Sequence, residues 1–436
     1  MCSKTIIVAN RLIFCILLLG LSLLASSASA MRRASRSYVI SEYGAVGDGQ
    51  TLNTSAIQAV IDKCSAAGGG VVVVPAGTFL TGAIFLKPGV NLSVLKDGVL
   101  KGSINPDDYP QIQTRWEGVE REWTSALINA NNLTGVEISG AGTIDGSGDA
   151  WVLRAQQQRQ QQPQGTPPAT PYRGRPRLIC FQNCRQARIS SLRLHNQAVW
   201  CLHILYSENV VAENLTITAD HNIPSSDGID VDSSKKVRIT GCNIDVNDDC
   251  ISIKSGKDAD GLRVNRSSED IVVEKCRFGY GHGGVAMGSE TSGGIRNVEV
   301  RNCVMEAGNW APIRFKSQPS RGGVVENITY RNIKLNDTRK VFEFNMEWRM
   351  VPPVLPPAKV LPVVRNVKIV NVSGTTTNVG DIHGLKDSPI LNVTFKHCNI
   401  KAQKGIVIEN ARGVDFSGLA IEVKEGKPIV RQENVQ

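Results

Sequence analysis

Asp248 and Asp249 stand side by side in "VNDDCISIKSG", residues 246–256, directly before a short alternating run of apolar residues. Adjacent carboxylates disfavour each other's ionisation, so one of a close pair keeps its proton to higher pH. A third aspartate, Asp227 in "SSDGIDVDSS", holds the matching position two residues before an alternating apolar pair. Glycosidic bond cleavage calls for such a set: a protonated carboxyl donates to the leaving oxygen while another carboxylate activates water or attacks. Crowding is one way to keep the donor protonated near its working pH. His282 in "GHGGVAMGSE" and Arg314 and Lys316 in "APIRFKSQ" extend the group. The two cations suit a sugar carboxylate, Arg through a planar two-point contact, which makes a uronic acid the natural substrate.

These residues are distant in sequence, and a repeat must bring them together. Segments of one pattern recur through the chain, among them "ARISSLRL", "VRITGCNI", "IVVEKCRF", "VEVRNCVM", "ITYRNIKL", "VTFKHCNI" and "VDFSGLAI". Their marker positions, from Leu192 through Cys242, Cys276, Cys303 and Cys398 to Leu419, recur every 21 to 39 residues. A unit of that size is the mark of a solenoid, and short alternating strands broken by Asn and Gly make it all-β. The expectation is a right-handed parallel β-helix. Four strands then fall in register: Ile229 and Val231, Ile251 and Ile253, Val285 and Met287, Ile313 and Phe315 face inward. Adjacent rungs lie roughly 4.7–4.9 Å apart, so Asp227, Asp248, Asp249, His282, Arg314 and Lys316 gather on one outward ribbon. Trp200 and Trp310 are further candidates for stacking on a sugar or for filling the core.

The remaining features bound the protein's setting. Residues 1–30 carry Lys4 and Arg11, an apolar run from Leu12 to Ala25 and a small-residue "SSASA", the pattern of a secretory signal. The expectation is an exported, extracellular or cell-wall protein, with residues 31–436 a single domain, not held in a membrane after signal removal. The formal charge of +9 suits a polyanionic partner such as an acidic polysaccharide. Basic residues are dispersed, without the clustered footprint of a nucleic-acid binder. Nine Asn-X-Ser/Thr sequons, from Asn53 to Asn392, fit an exported glycoprotein. Nine cysteines follow the signal, an odd number, and the four in the shared repeat slot are expected to be buried as small hydrophobes. An open solenoid end needs a cover. Ile57, Val60, Ile61 and Cys64 at helical spacing after a Ser or Thr cap predict a capping helix there. The Gln- and Pro-rich stretch from Val152 to Arg177 reads as a surface loop, a candidate to close one end of a cleft.

"YGAVGDGQTLNTSAIQ", "RPRLICF", "DGIDVDSS", "NDDCISIKSG", "GHGG" and "IRFKS", in this order and spacing, resemble glycoside hydrolase family 28, the polygalacturonases and their relatives. The resemblance implies pectin hydrolysis with inversion, without metal or organic cofactor, and a solenoid of this length is expected to suffice as a monomer. It implies Asp249 as general acid, Asp227 and Asp248 as the pair that holds and deprotonates the attacking water, His282 as an assisting group, and Arg314 and Lys316 as carboxylate binders. Ser225 and Ser226 depart from the family's Asn-Thr before the aspartate, Phe315 from its Ile between the cations, and Asn247 from the Gly common before the paired acids. These departures bear on the substrate: a rhamnogalacturonan hydrolase is the alternative within the family. A calcium-dependent pectate lyase and a non-catalytic carbohydrate-binding solenoid are the alternatives outside it.

Overall fold

Strands form here because apolar residues at every second position share one face. The computed structural model describes residues 36–161, 174–349 and 355–436; the segment read as an export signal lies outside them. Among the described residues 31 strands join one sheet, and two more form a separate antiparallel hairpin. Through the middle of the chain each strand pairs with the third strand after it, so that Ile179–Gln182, Leu202–Leu205, Ile229–Asp232 and Ile251–Lys254 stack in parallel. Three strands per turn, turn upon turn, make a parallel β-helix, and Tyr38–Gln436 is one compact unit.

The inward columns match the registers expected from sequence. Leu202, Ile229, Ile251, Val285, Ile313 and Phe342 pair in succession, and all are fully buried. The neighbouring column includes Phe315 and Phe344, whose rings are 4.2 Å apart, and continues through Ile382 and Ile408. Cys303 pairs with Ile333 and Ile333 with Val372, while Cys398 pairs with Leu419, as the shared slot requires. All nine cysteines of the described residues are buried and free, Cys180 and Cys184 included. At the turns Asn297, Asn327, Asn366 and Asn392 adopt left-handed backbone, which Asn tolerates. Each of the last three donates its amide to the asparagine one coil earlier at 3.2 Å. The sequon residues Asn327 and Asn392 therefore serve as rungs of this ladder.

The capping helix is Thr54–Ala66, with Ile57, Val60, Ile61 and Cys64 its buried residues. Its N-cap is Asn53 rather than Ser or Thr, and the Asn53 side chain makes no capping bond. That amide instead ties Val46, Thr51 and Leu80 together, at 2.6–3.3 Å. Asn53 is consequently buried, unlike a sugar-bearing sequon.

The stretch from Val152 is not wholly a loop. It begins inside a helix, Gly148–Gln161, and the part that follows, 162–173, lies outside the described residues. Ala, Leu, Arg and Gln are good helix formers, so absence of an apolar period did not forbid a helix. A second excursion was not foreseen: the hairpin of Gln111–Trp116 and Val119–Thr124. Its buried Arg115 donates to Asp232 at 2.8 Å and to Ser233 at 2.7 Å, while Glu120 accepts from Tyr206 at 2.7 Å and Arg263 at 2.6 Å. These contacts clamp the hairpin onto the central coils. Among the described residues no helix is long and apolar enough to cross a membrane.

Candidate active site

Three strands bring the expected residues together. Asp227 precedes Ile229–Asp232, Asp248 and Asp249 precede Ile251–Lys254, and His282 lies in Gly281–Met287, stacked in that order. The next coil, Asn309–Lys316, supplies Arg314 and Lys316. All six residues line one cleft of about 460 Å³, and one carboxylate oxygen from each of Asp227, Asp248 and Asp249 lies within 4.8 Å of the others. Glycine is required beside them. A Cβ on Gly283 would lie 2.5 Å from an Asp249 oxygen and 3.2 Å from Arg314 Cδ.

The cations do not wait for a ligand. Arg314 Nη1 donates to Asp249 Oδ1 at 3.0 Å, and Lys316 Nζ donates to Oδ2 at 2.5 Å. Arg314 Nε also meets Glu343 at 2.5 Å, and the Trp348 ring covers both cations, 4.8 Å from the guanidinium and 5.5 Å from the ammonium. Burial alone would raise the Asp249 pKa, but Lys316 and Arg314 outweigh it and hold the carboxyl well below the usual range. For Asp248 burial is likewise outweighed, here by His282, whose Nδ1 lies 3.5 Å away, and by Lys316, so its pKa is lowered. Asp248 in turn raises the pKa of His282.

The raised carboxyl is Asp227. Burial pushes it well above the usual value, and Asp230 and Asp248 push it further. Asp230, fully buried beside Asp227, is raised to about 8, chiefly by burial. The expectation that mutual repulsion would keep one of Asp248 and Asp249 protonated is thus corrected. Each has cationic neighbours that its crowding does not overcome, and the proton settles on the Asp227–Asp230 pair.

That pair has a counter-charge the sequence reading left without a role. Lys254 Nζ lies 4.0 Å from Asp227, 3.6 Å from Asp230 and 3.3 Å from Glu290. Lys254 was visible as the outward residue after Ile253. Glu290 and Glu343, each beyond the aligned strands or on a later coil, gave no local signal. Trp200 is core and wall at once: it packs 4.6 Å from Trp116, which stacks on Trp123 at 5.1 Å, and it lines the cleft with Lys254 Nζ 4.8 Å from its ring centroid. The hairpin turn contributes Glu117 to the same wall, whereas no described residue of the Val152–Arg177 stretch lines the cleft. Three clustered carboxylates can in principle attract a cation, but both oxygens of Asp249 are already engaged by Lys316 and Arg314.

Residues 64–418 match the family described as "Glycosyl hydrolases family 28". A probable polygalacturonase of Vitis vinifera is 31% identical over 395 residues, spanning 87% of this chain and 77% of that protein. An exo-poly-alpha-D-galacturonosidase of Dickeya chrysanthemi is 32% identical over 69% of this chain and 55% of its own length. Among solved structures, an exopolygalacturonase of Thermotoga maritima is 31% identical and superposes with a TM-score of 0.74, covering 85% of this chain and 90% of that one.

Proposed function

Because the chain belongs to glycosyl hydrolase family 28 and is a glycoside hydrolase, we propose that it cleaves α-linked galacturonosyl units of pectin after export to the cell wall. One observation carries the reading: three aspartates, a histidine and a paired Arg and Lys meet in a single cleft. The mechanism requires the cations to change partners. A galacturonate carboxylate entering between Arg314 and Lys316 shares the charge that holds Asp249 ionised. With that charge shared, burial dominates and Asp249 can take up a proton for the leaving oxygen. Asp248, ionised and aligned by His282, accepts a proton from the attacking water. Asp227 holds that water with it.

Asp227 is the competing acid, favoured by its raised pKa. Chemical rescue separates the two. A variant lacking the acid keeps activity on an aryl galacturonide whose leaving group needs no proton, and one lacking the base recovers with azide. Inversion follows the resemblance rather than the spacing, since the carboxylates are closer than the roughly 6.5–9.5 Å of most inverting pairs. Proton NMR of the first-formed anomer tests it, and retention would overturn it.

Exo-action is part of the proposal. Trp200 walls the cleft on the coil before Asp227, and the hairpin turn brings Glu117 in beside Lys257 and Glu290; both the Dickeya relative and the Thermotoga structure are described as exo-acting enzymes. The test is digestion of polygalacturonan and of rhamnogalacturonan in EDTA, with products sized by chromatography. Monogalacturonate or digalacturonate as the early product from the former supports the reading. Cleavage only of rhamnogalacturonan moves the substrate, and an unsaturated, calcium-dependent product would replace hydrolysis by elimination.

A further inference from the structure

The strand Asn309–Lys316 is buried at seven of its eight positions, and the exception is its largest residue: Trp310, 44% exposed. Trp310 belongs to neither apolar cluster of the protein. Its place is fixed by register. Gly281 pairs with Asn309 and Gly283 with Ala311, so Trp310 stands one coil above His282, whose backbone N–H in turn donates to the Asp248 carbonyl at 3.0 Å. On the next coil Arg339 stacks on the indole, its guanidinium 5.0 Å from the ring centroid. Arg339 does not line the cleft and Trp310 does, so the guanidinium backs the ring and leaves indole surface facing the cleft.

Asp248, His282, Trp310 and Arg339 form a column across four coils, each step roughly 4.8 Å. The column leads along the stack away from Trp200, which stands on the coil before Asp227, so a polymer whose end rests at Trp200 continues along it. Resting on the galacturonan reading above, we infer that Trp310, backed by Arg339, is a subsite for a pyranose unit beyond the cleaved bond. The electron-rich ring face suits the partly positive C–H face of a sugar, and the rigid indole needs little ordering on binding. The ligand is a galacturonosyl unit of the polymer's continuing chain, which makes Trp310 a determinant of chain-length preference.

The experiment compares kcat/KM on di-, tri- and tetragalacturonate for the wild-type protein, Trp310→Ala and Trp310→Phe. The expected result is a loss in Trp310→Ala of roughly 5- to 10-fold on the tri- and tetramer, a smaller loss on the dimer, and substantial rescue by Phe. Equal losses at every length, or no loss at any, would overturn the subsite. A wild-type protein that cleaves none of them would sink the galacturonan reading, and trigalacturonate binding then decides the subsite separately. Saturable quenching of tryptophan fluorescence, with at least fivefold weaker binding in Trp310→Ala, would support it; no wild-type binding would end it.

Discussion

The unliganded site keeps its protons in an order that differs from the order the reaction needs. Asp249 is held ionised by Lys316 and Arg314, while burial keeps a proton on Asp227 and Asp230. Two predictions separate these groups. Replacing Lys316 by Met removes the principal cation lowering Asp249, so its pKa rises. If Asp249 is the acid, the alkaline limb of kcat, which reports the substrate-bound enzyme, moves to higher pH in this variant, whatever the overall loss in rate. A limb that stays put would assign the proton to Asp227. The second concerns stability. Burial pushes the Asp230 carboxyl up to about 8, far above the ordinary aspartate value of about 4. The native state therefore binds a proton that the unfolded state has released between those limits, and stability falls as pH rises through them. Asp230→Asn should stabilise the fold at pH 7 by on the order of 1–3 kcal/mol, with the advantage closing near pH 4. Equal melting temperatures at both pH values would contradict the burial of a protonated acid at this position.

Strands and their register were legible because each needs only a local signal: alternation names the inward face, and a recurring slot names the rung. Ile229, Ile251, Val285 and Ile313 pair as the sequence pattern requires, which is why six site residues could be gathered from four separated segments. Excursions from the solenoid were harder to read. The hairpin turn at Glu117–Gly118 had a signal in its flanking alternation, but its importance lies in long-range contacts of Arg115 and Glu120, which no local window contains. On the exo-acting reading proposed above, chain-end selectivity belongs to this element. Shortening the hairpin across Glu117–Gly118 should open the walled end and lengthen the early products. Unchanged monomer or dimer release by a variant of wild-type melting temperature would place the wall elsewhere.

At the scale of the whole molecule, a stacked interior explains residues that carry no chemistry. Nine cysteines are buried and unpaired among the described residues, four of them in the slot between turns. A thiol reagent should find almost none of them in the native protein and all nine once it is denatured without reductant. Fewer thiols on denaturation would reveal disulfides and contradict the solenoid interior described here. The fold thus places acids, cations and aromatic walls along one face by repetition alone.

The most direct test of that face is the rate at which the protein and its Asp249→Asn variant release reducing ends from unesterified polygalacturonan in EDTA. The account predicts steady release by the former and a loss of roughly 10²–10⁴-fold in the latter with its melting temperature preserved. Equal release by both would contradict it.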